Sequence, residues 1–341
     1  IIGASFLLIF GSVALSARAA DDVYELKLAT FTPEPALDSE VLRQYAKEWE
    51  EKSKGRLKVK IFYGASMGPL PRHYDLVRTG VADLAYFQHG ATPGRFPLTE
   101  LMHLPYMLPP GIKGAEVGAM VMTELLKPYL AKEHSGVKVI WLANTRPAFI
   151  YDSAKEIRTV ADLKGRRYRA PTSAISEMLK SLGANPIGLP APLMAESLQK
   201  GTIDGVITDP PGIVNFRLGG LVKHQTPMFL AVLTFGLVMN EDTYNKLPPD
   251  LRQIIDESVG DPARAAKNAG VAWGDTPAFL SYMEKAGINN VQLDPAADKE
   301  MRRLSDEFVS QHLARLKENE AGRLGTEVYA KMRELVAKYS K

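Results

Sequence analysis

Hydrophobic and polar positions change period along this chain in a repeating order, and each change predicts an element. Tyr24, Leu26 and Leu28 alternate with Glu25 and Lys27, the period-two pattern of a half-buried strand. Val41, Leu42, Tyr45, Ala46 and Trp49 then share one face of a helix that closes near Gly55, and Leu57, Val59 and Ile61 alternate as a second strand. A turn at 64–68, a short helix ending at Gly80 and a buried strand at 84–87 complete this unit. A second unit follows the same order: strand 167–170, helix 174–182 closed by Gly183, strand 186–189, helix 193–200 and strand 203–207. Val77-Arg78-Thr79-Gly80-Val81-Ala82-Asp83 and Leu198-Gln199-Lys200-Gly201-Thr202-Ile203-Asp204 occupy matching places. Each reads as a helix end, a glycine suited to a left-handed C′ position, and the start of a buried strand. Two similar α/β lobes account for the repeat.

Between the units, residues 117–132 read as helix and 137–142 as a strand leading into Asn144-Thr145-Arg146-Pro147. The apolar segment 229–240 reads as a strand able to cross back to the first lobe. After it the chain turns helical, with Met301, Leu304, Phe308, Leu313 and Leu316, then Val328, Met332, Leu335 and Val336, at amphipathic spacing. These last helices are expected to pack across both lobes. The lobes are expected at 20–143 with 232–271, and at 144–231 with 272–341. No low-complexity stretch separates them, so ordered crossings and not a flexible tether are expected.

Composition narrows the functional classes. Hydrophobic residues make up 45% and charged residues 24%, the balance of a globular protein. A formal net charge of +3 with scattered Lys and Arg gives no nucleic-acid surface. The absence of cysteine removes disulfides, thiolate catalysis and cysteine-bound metal. Residues 1–15 are mostly apolar but include Gly3, Ser5, Gly11 and Ser12, too short and too polar a run for a good membrane span. Ala17-Arg18-Ala19 gives the small-x-small pattern of signal-peptidase cleavage, so 1–19 read as a signal peptide lacking its n-region, the mature protein starts at Ala20, and the expected location is the periplasm.

One segment carries specific chemistry. In Arg167-Tyr168-Arg169-Ala170-Pro171-Thr172 a short strand ends on arginine, Pro171 stops the ladder, and Thr172 or Ser173 can cap the following helix. Arg169 is thereby placed at the carboxyl edge of a sheet, where α/β proteins gather ligands and a guanidinium can grip a carboxylate by two parallel hydrogen bonds.

Several motifs in order resemble the substrate-binding proteins of tripartite ATP-independent periplasmic (TRAP) transporters, the DctP-type family. They are Gly64-Ala65-Ser66-Met67-Gly68, the stretch 76–83, Phe96-Pro97-Leu98 with Leu104-Pro105-Tyr106, and Asp162-Leu163-Lys164-Gly165 through Arg169-Ala170-Pro171. Gly201-Thr202-Ile203-Asp204-Gly205 and Val238-Met239-Asn240 with Thr243, Tyr244, Leu247 and Pro248 complete the set, over residues 24–339. The resemblance implies an α/β, two-lobed periplasmic binding protein fold, each lobe a mixed sheet flanked by helices, with a ligand cleft between them. It also implies capture of a small organic acid by lobe closure and delivery to integral-membrane TRAP permease subunits, with no chemistry, cofactor or metal of the protein's own; a monomer is expected. Arg169 matches the family's carboxylate-gripping arginine and Arg146 a second arginine of the pocket. Gln88 and His89 follow the first-lobe strand where the family places ligand contacts, and Phe235 stands at a hinge-side wall. After Asp204-Gly205 the family supplies an asparagine; here Val206-Ile207-Thr208-Asp209-Pro210-Pro211 departs from it, leaving Thr208 and Asp209 as candidates. Phe31, Phe87, Phe229 and Phe235 near these segments favour an aromatic, branched or 2-oxo monocarboxylate. The family's long helix after Leu-Pro-Pro-Asp-Leu is interrupted by Gly260-Asp261-Pro262 and Gly274-Asp275-Thr276-Pro277, each with an Asp able to cap a new helix.

The competing class is a secreted α/β hydrolase using Ser66, because 64–68 fits G-x-S-x-G after a strand. An elbow needs a helix directly after its serine, and Pro69 and Pro71 oppose one. A stabilising thermal shift with an unaltered organic acid separates the two classes.

Overall fold

The computed structural model describes residues 22–228, 231–316 and 321–341. The expected signal peptide and Phe229 lie outside them. The first part of the chain runs β1 (Tyr24–Thr30), α1 (Leu37–Lys52), β2 (Leu57–Phe62), α2 (His73–Arg78), β3 (Leu84–Gln88), α3 (Ile112–Leu125) and β4 (Val137–Asn144). β1 pairs in parallel with β2 and β3, the arrangement that helical crossovers produce. α1 covers this sheet because Val41, Leu42, Tyr45 and Trp49 fall on one stripe and are all buried.

The chain then enters a second sheet through β5 (Phe149–Asp152), β6 (Arg167–Arg169), α4 (Ser173–Ser181), β7 (Asn185–Ile187), α5 (Met194–Gln199), β8 (Gly205–Thr208), α6 (Pro210–Asn215) and β9 (His224–Thr226). It returns to the first as β10 (Thr234–Asn240). α7 (Glu241–Lys246), α8 (Pro249–Asp256), α9 (Pro262–Trp273), α10 (Pro277–Ala286), β11 (Asn289–Asn290), α11 (Pro295–Leu316) and α12 (Gly325–Tyr339) follow. The strand orders are β2-β1-β3-β10-β4 and β11-β9-β5-β8-β6-β7. In each sheet the strand that arrives from the other one runs antiparallel to both neighbours: β10 against β3 and β4, β5 against β8 and β9. Both sheets are therefore mixed and flanked by helices, as expected.

The two matching glycine junctions do the same job. Gly80 and Gly201 have φ of 72° and 63°, the left-handed conformation in which a side chain is strained. Three residues on, Asp83 accepts from the Lys27 backbone N–H at 2.8 Å, and Asp204 accepts from that of Arg167 at 2.8 Å. The same kind of side-chain clasp thus ties the start of β3 to β1 and the start of β8 to β6.

The crossings between sheets are ordered. Thr145 and Leu233 exchange hydrogen bonds, backbone N–H to carbonyl at 2.9 Å and backbone N–H to Thr145 Oγ1 at 3.1 Å, and the Ala148 N–H reaches the Ala231 carbonyl at 2.7 Å. A third crossing is the break between α9 and α10. The long helix is split at both expected places: Asp261 caps α9 by accepting from the Ala263 N–H at 2.9 Å. At the second break Thr276, and not Asp275, is the cap, accepting from the Phe279 N–H at 3.1 Å; Asp275 pairs with Arg146 at 2.6 Å. Of the last helices, α11 reaches α4 through Arg315–Glu177 at 2.6 Å, while α12 lies on α3, with Lys338 2.9 Å from Glu124.

Residues 64–68 form a turn, with φ of 62° at Gly64, 61° at Ala65 and 140° at Gly68. A single 3-10 turn, Leu70–Arg72, comes next, so no helix starts at Ser66 and the nucleophile-elbow reading is not supported.

Candidate ligand-binding site

The lobes meet over a cleft at the carboxyl ends of β3, β6 and β8. Pro171 ends β6 as expected, and Thr172 Oγ1 accepts from the Ile175 N–H at 3.3 Å to start α4. That turn leaves Arg169 pointing between the lobes with only 4% of its surface exposed. Its Nε donates to the Leu189 carbonyl at 3.2 Å and its Nη1 to the Ile207 carbonyl at 3.4 Å. No carboxylate forms a salt bridge with it among the described residues. Burial lowers its pKa to about 10, against the charge of Asp209, which favours the protonated form. A guanidinium with five donors, two of them spent on carbonyls, is held charged and short of an anion.

Two chambers open from it. The outer, about 290 Å³, runs between Leu70, Pro71 and Pro93 of the first lobe and Pro171, Ser173 and Ser176 of the second. The inner, about 50 Å³, is lined by Phe31, Asp38, Phe216, Phe235 and Trp273 among others. Arg169, Gln88 and Ala191 line both. Gln88, at the end of β3, is 5% exposed and its Nε2 has no hydrogen-bond partner among the described residues. An unsatisfied amide donor thus faces the same junction as the guanidinium.

The inner walls are aromatic. Phe31 and Phe235 stack with centroids 6.0 Å apart and planes 11° from parallel, Tyr86 stacks on Phe235 at 5.4 Å, and Trp273 tilts against Phe235 at 5.9 Å. Thr208 and Asp209 line the same chamber; Thr208 Oγ1 donates to Asp209 Oδ1 at 3.4 Å. Burial raises Asp209 to about 6, and burial followed by the charge of Asp209 raises Asp38 to about 7.

Of the residues expected at the site, Arg169, Gln88, Thr208, Asp209, Phe235 and Phe31 come together around the inner chamber. His89 does not. Its ring turns into the first lobe, where His89 and His134 share a hydrogen bond between their Nε2 atoms at 3.0 Å and Phe87 and Phe96 enclose it. The alternation of a strand end explains this, since Gln88 and His89 face opposite ways. Arg146 also stands back from the chamber wall, pairing with Asp275 and lying 6.0 Å from the Phe279 ring; its charge still lowers the pKa of Asp209. Asp38, Thr32, Thr145, Phe216 and Trp273 were not expected. Asp38 reads in sequence as an ordinary first-turn acid of α1, favourable to the helix dipole, and nothing along the chain marks Trp273 at the end of α9 as a neighbour of Phe235.

Comparison with known proteins agrees with this construction. Residues 28–316 match the bacterial extracellular solute-binding protein family 7, DctP. A TRAP solute-binding protein from a marine metagenome, specific for aromatic acid ligands and solved with metahydroxyphenylacetate, is 28% identical with a TM-score of 0.87, covering 94% of this chain and 100% of that one. One from Rhodoferax ferrireducens, solved with copurified benzoate, is 27% identical with a TM-score of 0.86, covering 93% and 99%. A third, from Bordetella bronchiseptica with bound mandelate, is 26% identical with a TM-score of 0.81, covering 92% and 99%. The family match over nearly the whole chain, on a fold of two mixed sheets around a cleft, means that this chain belongs to the DctP-type solute-binding proteins of TRAP transporters.

Proposed function

We propose that this protein is a periplasmic receptor for an aromatic monocarboxylate, which it captures by closure of the two lobes and delivers, chemically unchanged, to TRAP permease subunits in the membrane. The observation that carries the reading is the buried guanidinium of Arg169, which forms no salt bridge among the described residues, beside the Gln88 amide, whose Nε2 has no hydrogen-bond partner among them, at the mouth of an aromatic chamber. The carboxylate sits on Arg169 and Gln88, and the ring enters between Phe31, Phe216, Phe235 and Trp273. Arg146 supports the site by its charge near Asp209 and not by contact. His89 serves packing in the first lobe.

Three relatives with this fold hold benzoate, metahydroxyphenylacetate and mandelate, each an aromatic ring bearing one carboxylate. The receptor works as a monomer, and it acts as a carrier, not a catalyst. A thermal-shift screen of monocarboxylates tests this: benzoate and 3-hydroxybenzoate should raise the melting temperature by several degrees at 100 times their Kd, where mass action supplies about 2.7 kcal/mol. The acid should be recovered intact by chromatography. A panel in which no aromatic acid shifts the melt, or in which the acid is consumed, contradicts the reading.

A further inference from the structure

Resting on the aromatic-carboxylate reading, we infer that Asp38 and Asp209 are specificity-determining residues, a pair of acids that bars ligands carrying a second anionic group and favours ligands carrying a neutral hydrogen-bond donor in its place. The two side chains come from different lobes, Asp38 from the first turn of α1 and Asp209 from the residue before α6. Both line the inner chamber, at 7% and 5% exposure.

The charge inventory of that chamber is lopsided. Arg169 is the only basic side chain among the described residues that line it, against these two acids. Arg146 stands nearby but is engaged by Asp275. Neither acid forms a salt bridge among the described residues: Asp38 Oδ1 accepts from the Ser39 backbone N–H at 3.1 Å, and Asp209 Oδ1 from the Thr208 hydroxyl at 3.4 Å. The Tyr86 hydroxyl faces Asp38 and is otherwise unpartnered.

One ligand carboxylate can be matched by Arg169 and the Gln88 amide. A second would add a further negative charge to a buried space that already holds two acids, where like charges are poorly screened. An amide or hydroxyl in the same place meets acceptors instead, since ionised carboxylates accept and do not donate. Burial raises both acids above the ordinary carboxylate range, and the charge of Asp209 adds to the rise of Asp38, which reports the same crowding. Such a repulsive element is how a site discriminates between ligands of equal size.

Isothermal titration calorimetry at pH 8 with isophthalate and 3-carbamoylbenzoate separates charge from shape, because the two differ by one carboxylate replaced with its amide. The wild-type chain should bind the monoamide roughly 100-fold more tightly. In Asp38→Asn, in Asp209→Asn or in both, that ratio should fall at least tenfold. Succinate against succinamate repeats the comparison with ligands small enough to enter beside any wall, so steric rejection of the benzene pair does not decide the matter. If a variant fails to fold by circular dichroism, the wild-type ratios stand alone. A wild-type ratio within threefold, or a ratio unchanged in both folded variants, overturns the charge filter while leaving the receptor reading intact. Failure of benzoate, 3-carbamoylbenzoate and succinamate alike to bind overturns the receptor reading and this inference with it.

Discussion

Asp38 is a buried acid whose position costs the fold stability and whose titration reveals it. Its carboxyl ordinarily ionises near 3.8 and does so at about 7 in the folded chain. Between those values the folded chain holds a proton that the unfolded chain has released, so stability falls as pH rises through that window. At about 1.4 kcal/mol per pH unit, the whole interval corresponds to roughly 4 kcal/mol. Buried imidazoles act in the opposite sense: His103 and His134 are lowered from 6.5 to about 3 and about 4, so the unfolded chain takes up protons first and stability falls as pH drops below 6.5. From pH 6.5 to 8 the raised acids act alone, Asp38 together with Glu100 at about 8. The ligand-free protein should therefore melt at a lower temperature at pH 8 than at pH 6.5. Asp38→Asn should melt several degrees above the parent at pH 8, with the gap narrowing towards pH 5. A flat profile, or one that the substitution leaves unchanged, speaks against a buried ionised Asp38. At this scale backbone geometry marked Arg169 at a strand end and the family resemblance named Gln88 along with His89, while nothing in the sequence marked Asp38 or Trp273, whose place depends on how distant segments meet.

At the scale of elements, α3 and β4 show how close packing sets the hinge. Gly118 on α3 leaves no space beyond its own backbone, because a Cβ there would stand 1.9 Å from Asn144 Oδ1. Asn144 ends β4 and donates through Nδ2 to the Thr145 carbonyl at 2.9 Å, at the start of the first crossing. Gly118→Ala should cost about 1–3 kcal/mol by overpacking, read as a lower denaturation midpoint in urea at unchanged slope; a midpoint equal to wild type contradicts the packing described. Local grammar made most elements legible and marked both places where the long helix could kink or split, since Pro at the first helical turn with Asp before it is read without tertiary knowledge. The swap of roles between Asp275 and Thr276 was not legible. Either side chain can cap, and the choice falls to Arg146, which draws Asp275 away from a distant part of the sequence.

The whole molecule is a hinge around a charge. The lobes touch where Gly90 meets the α4 N-cap, a Cβ at 90 falling 2.6 Å from Thr172 Cγ2, so the described conformation is one in which the two halves are already in contact. Two hydrogen-bonded crossings and the break between α9 and α10 join the halves, and each places a residue of the inner chamber: Thr145, Leu233 and Trp273. Repetition of one α/β unit made this bilobal plan readable from pattern, down to the matching junctions at Gly80 and Gly201, while the clasps that Asp83 and Asp204 form beside them are seen only in the structure. Water excluded from the cleft strengthens every charged contact inside it, which is why one guanidinium can govern capture when an exposed pair would contribute about 0–1 kcal/mol. Calorimetric titration of benzoate into wild type, Arg169→Ala and Arg169→Lys tests that claim most directly. Arg169→Ala should weaken binding at least roughly 100-fold with the circular dichroism spectrum retained, and Arg169→Lys should also bind worse because an ammonium cannot make the forked contact. Binding by Arg169→Ala within threefold of wild type would contradict the account.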